Sequence, residues 1–85
     1  METKAFEIGN YYNESKPLLE EDEVIYASTG RMALDKYLKE NNINVKVKVS
    51  GDDFVHFCVT PIVFIDGIKY LDTRRRRQLW YQIIF

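Results

Sequence analysis

The chain has 85 residues, 46% hydrophobic and 29% charged, which suits one folded domain over residues 1–85 and is too rich in core-forming side chains for disorder. Twelve Lys and Arg against thirteen Asp and Glu leave a formal net charge of −1, which excludes a uniformly basic nucleic-acid coat. A single Cys excludes an internal disulfide and a cysteine-based zinc site, and no apolar run approaches the ~18 residues of a membrane span.

Residues 4–8 alternate, with Phe6 and Ile8 on one face and Ala5 and Glu7 on the other, the pattern of a short strand. Residues 9–13 are turn-rich. Residues 14–23 contain Pro17 and the acidic run Glu20-Glu21-Asp22-Glu23, and read as a loop. Val24-Ile25-Tyr26-Ala27 is β-branched and aromatic, a second strand expected antiparallel to the first. Ser28 or Thr29 then supplies the N-cap of a helix over residues 30–41. Ala33, Leu34, Tyr37 and Leu38 form its apolar stripe, Asp35, Lys36, Lys39 and Glu40 face water, and Asn41-Asn42 stops it.

Residues 43–49 alternate cleanly, with Ile43, Val45, Val47 and Val49 opposed to Asn44, Lys46 and Lys48. Residues 50–53 turn the chain, and residues 54–60 form a strand with two usable faces. Pairing these two strands through an odd-numbered loop sets Val55, Phe57 and Val59 beside the valines and keeps His56 off that face. Pro61 interrupts the run and predicts a bend or a sheet edge. Residues 62–65, Asp66-Gly67 and residues 68–71 form a hairpin on a type I′ turn, with Ile65 opposite Ile68 and Val63 and Tyr70 beside them. The closing residues read as a strand, with Leu79, Tyr81, Ile83 and Phe85 on one face and Trp80, Gln82 and Ile84 on the other. A strand this apolar is an aggregation hazard at a free edge, so it is expected either at the centre of the sheet or paired with another chain.

The fold class is therefore α+β, in the order β-β-α-β-β-β-β-β, with one helix packed on a curved antiparallel sheet. One helix of about three turns cannot shield that many strands. The remaining face must be closed by curvature or by a partner.

Six Tyr, five Phe and one Trp are more aromatic surface than so small a chain can bury, and Tyr and Trp are the types favoured in interfaces. Arg74, Arg75, Arg76 and Arg77 put four positive charges beside Trp80 and Tyr81. Arginine beside aromatics suits phosphate contact and base stacking. The same run also suits protection of a sticky strand, or pairing with carboxylates such as those of residues 20–23. His56 and Cys58 share a strand face, but no orienting group accompanies them, and they read as core. Phosphate-loop, dinucleotide, nucleophile-elbow and zinc-protease motifs are all absent. No catalytic residue, cofactor or metal is expected.

The sequence thus reads as a non-enzymatic protein-binding module, a regulator or inhibitor of the size carried by phages and mobile elements. Its expected partner is another protein or a second copy of itself as a homodimer, met through Tyr11, Tyr12, Trp80, Tyr81 and residues 74–77. The alternative is nucleic acid, held by the arginines with Trp80 and Tyr81 stacking. No membrane partner is expected. The opening Met1-Glu-Thr-Lys has no apolar signal core, so a reducing cytoplasm is the expected setting.

Overall fold

The computed structural model describes residues 3–11, 23–51, 55–75 and 78–84. Strand β1 (Lys4–Asn10) pairs antiparallel with β2 (Glu23–Ala27), Phe6 lying opposite Ile25, and both point to the core as their alternation requires. Helix α1 (Gly30–Glu40) follows at once. Thr29 is extended, and its hydroxyl accepts the Met32 N–H at 3.2 Å, a standard N-cap. The helix lands so close to the sheet that a Cβ on Gly30 would lie 3.2 Å from Val59 Cγ1. The predicted stripe of Ala33, Leu34, Tyr37 and Leu38 is buried, and Asn42 takes a left-handed φ of 56° beyond the helix end.

The remaining strands are β3 (Lys46–Val49), β4 (Phe57–Ile65), β5 (Ile68–Leu71) and β6 (Leu79–Ile84). The sheet runs β2-β1-β4-β6-β3, with β5 also on β4. All pairings are antiparallel, and the sheet curls strongly into a half-barrel with the one helix packed on it. The α+β class stands, with two differences in detail. First, the runs on either side of Pro61 are one strand of nine residues. Along one edge of β4, β6 pairs with residues 57–59 and β5 with residues 62–65. Pro61 lies between, and its carbonyl accepts the Asp72 N–H at 3.0 Å. In a strand a residue's nitrogen faces the same edge as its carbonyl, so the donor that proline lacks falls where one neighbour gives way to the next.

Second, β3 does not form a hairpin with β4. β6 lies between them, with Val47 opposite Ile83 and Phe57 opposite Tyr81. A strand apolar on both faces gains most from two neighbours, and central placement gives β6 a ladder on each side. The expected grouping of side chains survives this change of partner. Val47, Phe57 and Val59 share the helix-facing core with Tyr81 and Ile83. Tyr37 of the helix meets Phe57 edge-on at 6.2 Å between centroids.

Candidate functional site

The arginine run begins on a turn built by Asp72. This buried carboxylate accepts the Arg74 N–H at 3.1 Å, closing an Asx turn, and accepts from Arg75 Nε at 2.7 Å. Arg75 Nη2 donates to the Ala5 carbonyl at 2.7 Å and to the Ile62 carbonyl, and its guanidinium lies 4.8 Å over the Phe6 ring. Arg75 therefore bolts the turn after β5 onto the β1–β4 ladder. Burial by itself would raise the Asp72 carboxyl. The Arg74 N–H, the Arg75 hydrogen bond and the two positive charges outweigh it, and hold the group below its ordinary value of 3.8. Arg74, with 82% of its side chain exposed, lies at the surface with its Nε 3.5 Å from Asp72 Oδ1. Arg76 and Arg77 lie outside the described residues.

Trp80 and Tyr81 point to opposite faces of β6. Trp80 is exposed, opposite Cys58 on β4. Tyr81 is buried, with the Arg31 guanidinium 5.8 Å over its ring. Burial raises the Tyr81 hydroxyl, Arg31 opposes that, and Asp35 adds to it. Tyr11 is half-buried beside β4, donating its N–H to the His56 carbonyl at 2.6 Å, and Tyr12 lies outside the described residues. Among the described residues, the aromatics and arginines singled out by sequence thus do not share one surface: Trp80 and Arg74 are exposed, while Tyr81 and Arg75 turn inward. His56 is buried, and its Nδ1 accepts the Ile83 N–H at 3.0 Å, standing in for a ladder carbonyl where β4 has not yet begun. Cys58 is buried with its Sγ 3.8 Å from Thr60 Oγ1. Both residues sit in structural roles.

The surface that sequence reasoning passed over is the β4–β5 hairpin. Its two-residue turn has Asp66 at φ 53° and Gly67 at φ 78°, both left-handed as a type I′ turn demands. Phe64, Ile65, Ile68, Tyr70 and Leu71 are between 43% and 57% exposed. Val63 pairs with Tyr70 and Ile65 with Ile68, so these four share one face. Phe64, paired with Lys69, and Leu71, paired with Ile62, share the other. Helix α1 packs on β1, β2 and β4, and the hairpin carries apolar side chains on both faces beyond that cover. The signal was in the sequence. Ile-Val-Phe-Ile lacks the apolar–polar alternation of a half-solvated strand, so both its faces call for cover.

The sheet's other borders are guarded. Lys36 of the helix donates to the Tyr26 carbonyl at 3.5 Å, and Asn41 donates to the Glu23 carboxylate at 3.1 Å, which ties α1 along β2. β3 presents exposed Lys46 and Lys48. On β5 the one charge, Lys69, reaches across to the Glu7 carboxylate of β1, and the rest of the strand is apolar.

Among the described residues no group of three or more His, Cys, Asp or Glu is placed to hold a metal, and no helix is long and apolar enough to cross a membrane. Among the described residues the hairpin carries the longest run of exposed large apolar side chains, with Tyr26, Val49, Trp80 and Ile84 exposed elsewhere on the sheet. Compared with known proteins, the chain matches no family, no curated protein and no solved structure.

Proposed function

We propose that this chain is a non-enzymatic protein-binding module that docks through the β4–β5 hairpin. The observation that carries the reading is the five large apolar side chains bare within residues 64–71, on both faces of a two-stranded ribbon. Isolated two-stranded ribbons are marginal in water, and contiguous exposed apolar patches mark interaction sites. Docking covers the patch and rigidifies the ribbon in one step. A module of this kind regulates or inhibits by occupying a surface of its partner, and a lone buried cysteine fits a reducing cytoplasm. Trp80 and Arg74 are secondary contacts in this reading.

Nucleic-acid binding through the arginine run has weaker support. Arg75 spends its guanidinium on Asp72 and two main-chain carbonyls, and Trp80 and Tyr81 cannot stack on one strand of bases from opposite faces of the sheet.

The test compares variants in co-purification from the native host and with a tagged second copy of the chain. Ile68→Lys with Leu71→Lys should abolish capture while Trp80→Ala and Arg74→Gln retain it. Capture that survives the hairpin change and is lost with Arg74→Gln overturns the reading.

A further inference from the structure

We infer that the face of the sheet turned away from α1 carries a site for single-stranded nucleic acid, in which Trp80 stacks on a base while Lys46 and Lys48 hold the backbone. This site is separate from the hairpin, and its cations come from β3 rather than from the arginine run.

Strand register assembles it. Tyr81 and Ile83 are buried toward the helix, so Trp80, Gln82 and Ile84 point to the opposite face. Val47 is buried in the same core, which puts Lys46 and Lys48 on that opposite face as well. Lys46 lies opposite Ile84 and Lys48 opposite Gln82. Trp80 is then the diagonal neighbour of Lys48, at roughly 7–8 Å, within reach of a long side chain. Its side chain is 50% exposed, and its partner across on β4 is the small Cys58. Gln78 is fixed on the same face by its hydrogen bond to the Thr60 hydroxyl at 2.9 Å.

Chemistry then selects the ligand. Lys46 and Lys48 are exposed and form no ion pair, whereas Arg31, Lys69, Arg74 and Arg75 are each held by a carboxylate of their own chain. Two positions apart on a strand, the two lysines stand ~6.8 Å from each other at their Cα atoms. That is close to the step between successive phosphates of an extended single strand. Among the described strand residues the acid on this face is Glu7, two strands away from Trp80 and paired with Lys69. Protein interfaces favour tryptophan but are depleted in lysine, and they set their aromatic anchors among apolar side chains. Here the ring stands among Lys48, Gln78 and Gln82. One exposed ring with unpaired cations along its flank is what stacking on a base and tracking a phosphate backbone require. A duplex keeps the faces of its bases covered, so the ligand is single-stranded.

The chain has one Trp, so its intrinsic fluorescence reports on Trp80 alone. Titration with oligo(dT) of about 12 nucleotides, a length that spans a typical single-strand site, should quench that emission saturably. Anisotropy of the same oligonucleotide carrying a fluorescein compares the variants. Trp80→Ala should weaken binding about tenfold. Two phosphate contacts predict a log–log salt slope of about −1.4, hence about a sevenfold loss between ~50 and ~200 mM salt. Lys46→Gln with Lys48→Gln should bring that slope toward zero, and Lys46→Arg with Lys48→Arg should keep it. Ile68→Lys with Leu71→Lys should leave oligonucleotide binding unchanged. Absence of quenching and of anisotropy change up to ~500 µM chain at ~50 mM salt overturns the inference and leaves the docking reading to its own test above. Binding indifferent to Trp80→Ala, or with a salt slope unmoved by the glutamines, overturns the site. Equal affinity for a duplex of the same length overturns the stacking. Binding lost with the hairpin change overturns the separation of the two surfaces.

Discussion

Phe57→Ala is expected to destabilise the protein by about 3–5 kcal/mol, the range for removing a fully buried aromatic ring. Phe57 has no exposed surface. It sits where three elements meet, opposite Asn10 on β1 and Tyr81 on β6, with Tyr37 of α1 edge-on to its ring. Because a strand pairs on each side of Phe57 and the helix packs over it, the cavity cannot collapse without moving these elements against one another. A domain of this size has a total stability of about 5–10 kcal/mol, so the variant should fall to the edge of folding. The urea midpoint measures this directly, and a loss under about 1 kcal/mol would show that Phe57 is not the junction described.

Arg75→Met should cost about 2–4 kcal/mol, below the 3–5 kcal/mol typical of breaking a fully buried pair because the site retains some exposure. The change leaves the Asp72 carboxylate with only the Arg74 N–H and the largely exposed Arg74 guanidinium, and it strips the Arg75 donors from the Ala5 and Ile62 carbonyls. Arg75 Nη1 is itself buried without a hydrogen-bond partner, which moderates the loss when the guanidinium goes. Adding Asp72→Asn should recover part of the stability, because the carboxylate that has lost its shorter ion pair and keeps only Arg74 disappears with it. Acid gives an independent readout. The folded Asp72 carboxyl lies below its ordinary value, so the stability it contributes is complete above about pH 4 and drains away as the pH falls through the folded value. Denaturant midpoints taken down through that window should drop more steeply in the parent than in Asp72→Asn. Parallel curves, with an Arg75→Met that unfolds no sooner than the parent, would contradict the bolt.

The elements set by local chemistry were legible from residues alone. Thr29 as a hydroxyl cap, the stripe of Ala33 and Leu34, and Asp66-Gly67 each act over a few positions, and each formed as read. Pairing was harder, because it depends on residues far apart. Nothing near Val47 announces that its neighbour is Ile83 rather than Val55, and only the need of a doubly apolar β6 for two partners decides it. The Pro61 reading failed for a related reason. A missing donor breaks a strand only if a neighbour wants it, and here the neighbour changes at that point. The arginines misled by adjacency. Four in a row suggest one patch, yet a carboxylate two residues before the first draws Arg75 into the fold. The candidate site was in plain view as two apolar runs about a turn. What the sequence lacked was the reach of the helix, and hence which apolar strand would be left bare.

The most direct measurement on the docking claim is methyl NMR of the labelled chain, followed as its binding partner, beginning with unlabelled chain itself, is titrated in. The methyl resonances of Ile65, Ile68 and Leu71 should shift or broaden together, while those of Ile84 on the Trp80 face and Val47 in the core stay in place. Perturbation centred on Ile84 and the Trp80 indole, with the hairpin methyls unmoved, would contradict the account.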